Sequence, residues 1–209
     1  MAALTKHAAD VGVCKLASYA LWIIASGDDD ACKDRCAAAI PNLIAALTNH
    51  AADADVYKYA SAALGNIASG DDNTRKDSCA VKGAIPALVT ALHTHMGSAS
   101  VCFAAVTALS RIAECASLTN PAHGTFPSKQ HTQRKNAIFL EICPTGALAS
   151  DRLVTVSIAH ASDAPLQNAA LKLFAALRGI MVPTARDLIE AEKKRRADVL
   201  AAAAANALD

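Results

Sequence analysis

Small apolar residues return along the chain at fixed places. Ala17, Ala20 and Ala25 reappear as Ala60, Ala63 and Ala68, and again as Ala105, Ala108 and Ala113. Each set sits inside an apolar stretch of helical length. Polar breaks follow the first two, Ser26-Gly27-Asp28-Asp29 and Ser69-Gly70-Asp71-Asp72. The likeness extends well beyond the alanines. Residues 4–29, LTKHAADVGVCKLASYALWIIASGDD, match residues 47–72, LTNHAADADVYKYASAALGNIASGDD, at 18 of 26 positions with an offset of 43. Lys33-Asp34 and Cys36 return as Lys76-Asp77 and Cys79. Two residues are then inserted between 80 and 83, and the offset becomes 45. At that offset AIPNLIAALTNH (39–50) matches AIPALVTALHTH (84–95), and ALGNIA (63–68) matches ALSRIA (108–113). A fourth, more distant copy lies near an offset of 64 from the third, as GALASDRLVTVSIAH (146–160) and APLQNAALKLFAALRG (164–179). Such a period marks one supersecondary unit stacked on copies of itself.

Each unit resolves into three helices. A short one covers about 29–37 and 72–82. A second covers about 39–49 and 84–95, with Pro41 and Pro86 in the first turn, where a missing N–H costs little. A third, longer one covers about 56–69, 101–114 and 165–178. Gly27 and Gly70 stand where a left-handed residue closes a helix, and Asp28 and Asp71 stand as caps for the next short helix. Gly83 supplies the turn between short and second helices, where the earlier copy has Ala38. Residues 116–132 interrupt the period, and Pro121, Gly124 and Pro127 predict a loop insertion there. A divergent repeat over 133–180 follows, with Asp163 placed as a cap. Residues 184–208 then predict a long Ala-rich helix that caps the last repeat, with Glu190/Lys194 and Glu192/Arg196 as i,i+4 pairs.

This layout resembles the armadillo repeat family. The residues that carry the likeness are Lys76-Asp77 in the short helix, the turn Gly83-Ala84-Ile85-Pro86-Ala87-Leu88-Val89, and Ala63-Leu64-Gly65-Asn66-Ile67-Ala68 in the third helix. The nearest look is to importin-alpha-like and plant or protist armadillo proteins. The resemblance covers residues 1–179 and is specific over 1–115. It implies an all-α fold: a right-handed superhelical solenoid of about three and a half repeats plus a C-terminal helix. The first copy is truncated, because the chain opens at Leu4 in the tail of a second helix. That leaves an apolar end face, which reads as a fragment of a longer protein or as an end that meets another surface.

Composition agrees with helices packed closely. Alanine supplies 50 of 209 residues and aromatics only 4%, which favours helix and speaks against sheet. The formal net charge of +1 gives no basic field for nucleic acid or an anionic membrane. No run of 18 apolar residues is present. The start, MAALTKHAAD, shows no signal-peptide apolar core, and seven cysteines within helical patterns suit a reducing compartment. A cytoplasmic or nuclear protein is expected.

What armadillo proteins do implies a site. In that family the third helices line a concave groove that holds an extended peptide, gripped by a Trp and, four residues later, an Asn whose amide bonds the peptide backbone. Here those positions are Ala62 with Asn66, Tyr19 with Ile23, Thr107 with Arg111, and Leu171 with Ala175. One Asn and no Trp remain, so an importin-type grip on basic peptides is the lesser alternative. One turn earlier the columns begin at Lys15, Lys58 and Phe103, giving a predicted groove of Lys15, Tyr19, Ile23, Lys58, Ala62, Asn66, Phe103, Thr107 and Arg111. Lys15, Lys58 and Arg111 make it mildly basic, which suits an acidic-hydrophobic protein or peptide partner; as a plain alternative they are solvated positions on amphipathic helices. Trp22 fits either a groove anchor or the core, and its size favours the core.

Other chemistry is thin. Cys32, Cys36, Cys79 and His50 lack zinc-site spacing, and a cysteine recurring in one slot reads as core. His7, His50 and His95 recur at the corner between second and third helices and read as structural. Asp28-Asp29-Asp30 lacks the alternation of a calcium loop and reads as capping. Lys193-Lys194-Arg195-Arg196 is either a targeting patch or a solvated helix face. No nucleophile elbow, phosphate loop or dinucleotide fingerprint occurs. No enzyme activity, metal, cofactor, small-molecule substrate, nucleic acid or membrane is expected. A protein–protein scaffold is expected, with a structural or assembly subunit docking through its ends as the alternative.

Overall fold

The structure is a computed structural model and describes residues 2–114, 129–142 and 152–177. Every regular element among them is helical. In chain order these are α1 (Ala2–Lys6), α2 (Val11–Ile24), α3 (Asp30–Ala37), α4 (Ile40–Asn49), α5 (Ala54–Ile67), α6 (Asn73–Val81), α7 (Ala84–Thr94), α8 (Ala99–Ala113), α9 (Lys129–Ile142), α10 (Arg152–Ala159) and α11 (Ala164–Ala176). The predicted C-terminal helix and Lys193–Arg196 lie outside the described residues.

Local chemistry sets the ends. Asp10, Asp53 and Asp163 each accept a hydrogen bond from the backbone N–H three residues on, at 3.0, 2.8 and 2.9 Å, and so start α2, α5 and α11. The short helices are capped one residue later than expected. Asp29 accepts from the Ala31 N–H and Asp72 from the Thr74 N–H, rather than Asp28 and Asp71. Gly70 and Gly83 take the left-handed conformation, with φ of 84° and 92°. Gly27, at the equivalent position, does not, although α2 and α5 close alike with Ala25 and Ala68 in the right-handed region.

The three kinds of helix each pack on their own kind. The long third helices follow in the order α2, α5, α8, α11. Beside them run α1, α4, α7 and α10, and the short helices α3, α6 and α9. α9 begins at Lys129, so the last turn of the expected loop insertion is helical; between Pro127 and Ile142 nothing breaks a helix. Ala60, Ala63, Ala105 and Ala108 are wholly buried between successive third helices, and Leu64, Ile67, Leu109 and Ile112 fill the core beside them. Each such Leu or Ile contributes roughly 1.5–3 kcal/mol by leaving water. Gly65 completes the close approach: a Cβ there would stand 3.2 Å from the Ala108 Cα.

The fourth copy is in register at an offset of 65, one more than the sequence alignment suggests. α11 starts at Ala164 as α8 starts at Ala99, and Leu166, Ala169, Ala170, Leu173 and Leu177 are buried as Val101, Ala104, Ala105, Ala108 and Ile112 are. Lys172 and Ala176 therefore hold the slots of Thr107 and Arg111, in place of Leu171 and Ala175.

Two polar ladders join the units. His50, His95 and His160 each place a ring nitrogen against the carbonyl of the preceding corner, Ala8, Ala51 and Met96, at 2.9, 3.0 and 2.7 Å. Arg75 of α6 reaches back to Asp30 and Asp34 of α3 at 2.7 and 2.6 Å and donates to the Ser69 carbonyl. One unit on, Arg134 of α9 repeats the grip on Asn73 and Asp77 of α6 and on the Ile112 and Glu114 carbonyls. The sequence reading missed both arginines. The signal was an Asx pair four apart, 30/34 and 73/77, with an arginine in the following short helix.

Candidate functional site

The third helices leave one strip of residues toward solvent, and the expected columns fall along it. In α2, Lys15 is half-buried and Tyr19 and Ile23 are exposed. In α5, Lys58 and Ala62 are half-buried. In α8, Phe103 is exposed, and Thr107 and Arg111 are half-buried. Helical spacing puts the members of each column one turn apart on the same face.

Asn66 departs from this pattern. It is only 9% exposed, and both ends of its amide are engaged. Nδ2 donates to the Trp22 carbonyl at 3.0 Å, and Oδ1 accepts from Arg111. The side chain that resembles a peptide clamp instead joins α2, α5 and α8 to one another. Burial lowers the pKa of Arg111 and Glu114 opposes that, yet a guanidinium stays cationic at neutral pH. The Thr107 hydroxyl is buried and makes no hydrogen bond.

Three aromatic rings form the centre of the strip. Tyr19 meets Trp22 edge-on at 5.6 Å and Tyr59 edge-on at 5.1 Å, while Trp22 stacks on Tyr59 at 5.9 Å. Edge-to-face pairs at these separations add about 0.5–1.5 kcal/mol beyond burial. Trp22 is half-buried within this cluster, so it is neither plain core nor a freely standing anchor. Tyr59 was not singled out in the sequence because its slot holds Leu16 in the first copy and Ala104 in the third. Ile23 and Phe103 extend the apolar surface on either side.

The charges are less free than the sequence suggests. Lys15 bonds Asp55 across the α2–α5 seam, and that bond is the main cause of a raised lysine pKa and a lowered aspartate pKa. Lys58 has its ammonium 5.4 Å from the Tyr59 ring centroid, within cation–π range. Lys58 and Arg111, with Lys172 exposed in the slot of α11 that corresponds to Thr107, thus carry the positive character of the strip.

The chain matches no family model, no curated protein and no solved structure.

Among the described residues no group of three or more His, Cys, Asp or Glu stands together to hold a metal ion. No helix among them is long and apolar enough to cross a membrane. Cys14, Cys36, Cys79 and Cys102 are buried, and Cys32 is half-buried. Burial pushes the Cys79 thiol up to about 12 and that of Cys102 to about 11. At pH 8 almost no thiolate forms at either site, so iodoacetamide should leave both untouched in the folded protein and, among the described cysteines, modify Cys32 first, as read by peptide mass spectrometry. The unfolded chain releases those protons from near pH 9 while the folded chain holds them, so stability falls as pH rises above 9.

Proposed function

We propose that this chain is a non-catalytic binding module of the armadillo kind, a helical solenoid whose third helices present a concave strip to an extended acidic-hydrophobic segment of a partner protein. The observation that carries the reading is the aromatic cluster Tyr19–Trp22–Tyr59, partly exposed on a rigid seam and continued by Ile23 and Phe103. Exposed aromatic groups on stacked helices supply contact area at low entropic cost, because the scaffold already fixes them. Lys58 and Arg111 beside them favour acidic residues in the ligand. The reducing cytoplasm or nucleus suits a chain whose described cysteines are free thiols.

The importin-like alternative leans on Asn66, whose amide is already spent between Trp22 and Arg111. A partner backbone would instead meet the Tyr19 and Tyr59 hydroxyls and the Trp22 indole N–H.

Selection from a displayed library of random peptides tests the reading. Binders should be rich in Asp or Glu next to Leu, Phe or Pro. Tyr19→Ala should weaken the best of them about tenfold, close to 1.4 kcal/mol. Lys58→Glu should weaken them further and flatten the salt dependence. Unchanged affinity in both variants, with the helical signal intact, removes the strip from consideration.

A further inference from the structure

Arg75 and Arg134, both packed into the stack, are met by carboxylates: Arg75 by Asp30, Asp34 and Asp72, and Arg134 by Asp77. Arg111 differs. It is half-buried near the end of α8, and among the described residues no carboxylate comes within ion-pair distance of it. Glu114 acts on it only from farther away. A half-buried guanidinium has given up part of its hydration, so an anion brought to it supplies what the chain itself does not.

The way Arg111 is held decides what it can take. Nη1 donates to Oδ1 of Asn66, whose Nδ2 is anchored on the Trp22 carbonyl. Nε and Nη2 make no hydrogen bond among the described residues, and neither is sealed from solvent. Those two N–H groups lie along one edge of the guanidinium plane, the edge that receives both oxygens of a single carboxylate. Lys58, the cation beside the rings, is of another kind. Its ammonium sits over Tyr59 on a flexible stem, which attracts negative charge without fixing where that charge rests.

The same bonds set a distance. Asn66 of α5 links Arg111 of α8 to Trp22 of α2. The aromatic cluster occupies the α2–α5 seam, so Arg111 stands about one helix spacing beyond it, roughly 8–10 Å. An extended chain advances about 3.3 Å per residue, so about three residues cover the gap.

We infer that Arg111 reads one acidic residue of the partner segment, an Asp or Glu about three residues from the apolar residue seated on Tyr19, Trp22 and Tyr59, through a two-point bond from Nε and Nη2. The subsite rests on the strip being the binding surface, and gives its ligand a register and a direction. α8 lies on one side of the cluster, so the acid falls on one side of the apolar anchor.

Random displayed peptides, selected in parallel on the wild type, Arg111→Gln and Asn66→Asp, test this. Arg111→Gln removes the charge and keeps an amide beside Asn66. Asn66→Asp keeps the arginine and gives it a carboxylate from within the chain. The wild type should enrich an acid about three residues to one side of the apolar anchor. Both variants should keep the anchor and lose the acid. In the best peptide, replacing that Glu or Asp by its amide should weaken wild-type binding about tenfold and binding to Arg111→Gln less than about twofold, by fluorescence anisotropy. Circular dichroism checks folding, and the two variants disturb different bonds, so either one that folds is sufficient. A wild type that enriches acids at no fixed position overturns the subsite and leaves the strip standing. So does an acid preference that survives in a folded variant. Selected peptides without an apolar anchor overturn the strip itself, and the subsite with it.

Discussion

Replacing Gly65 by leucine should cost about 3 kcal/mol and lower the melting midpoint by about 9 °C, the size expected for overpacking a filled seam in a chain of this length. A Cβ at this position would meet the Ala108 Cα at 3.2 Å and its Cβ at 3.3 Å. Neither atom belongs to a side chain that can turn away. Relief requires α5 and α8 to separate, and separation opens the contacts along that seam, including those of Ala105 and Ala108. Gly65→Ala is the sharper comparison. Alanine gains about 1 kcal/mol of helix propensity over glycine. The contact should outweigh that gain, leaving a net loss of about 1 kcal/mol. Thermal unfolding followed by circular dichroism reads both variants. A stabilised Gly65→Ala protein would mean that the helices are further apart than described.

The sequence made the helices and their stacking order plain because the repeat does so twice over. Ala60 and Ala105 share a slot, and so do Ala63 and Ala108, so the packed face of the third helix is written into the chain at fixed offsets. Pro41, Gly70 and Gly83 mark ends by their backbone limits alone. What could not be read is whatever depends on distance between units. Asn66 matches a family peptide clamp in position, but whether its amide is free turns on Arg111, 45 residues later. Arg75 and Arg134 look like solvated helix residues until the preceding short helix is placed against them. The fourth copy has too few identities for its sequence to define the register to within one residue, whereas burial defines it through Leu166, Ala170, Leu173 and Leu177. The cap at Asp29 in place of Asp28 is a shift of the same size, where adjacent aspartates offer identical chemistry. Tyr59 belongs to the candidate site only because α2 brings Tyr19 and Trp22 to it.

Arg134→Ala should detach α9 from the stack and cost about 2–3 kcal/mol. The guanidinium is 2% exposed and performs two tasks at once. It donates to the Ile112 carbonyl at 3.0 Å and approaches that of Glu114 at 3.4 Å, at the end of α8 where helix carbonyls lack partners within their own helix. Its other arm bonds Asp77, which is partly open to water, and Asn73 at 3.0 Å. Removing it leaves the Ile112 carbonyl buried without that donor and takes away the polar tie between α9 and α6. Lysine cannot substitute, because one ammonium does not span acceptors on both α6 and α8. Arg134→Lys should therefore fall close to Arg134→Ala, not midway to wild type. Hydrogen exchange should show where the loss falls. The amides of α9 should exchange faster by roughly the factor that 2–3 kcal/mol implies, about 30-fold to 160-fold, while those of α2 and α5 hold near their original rates. Uniform acceleration across all helices would mean that α9 and the remaining stack unfold as one unit. An unchanged α9 would mean that apolar packing through Ile138 and Ile142 holds it without the arginine.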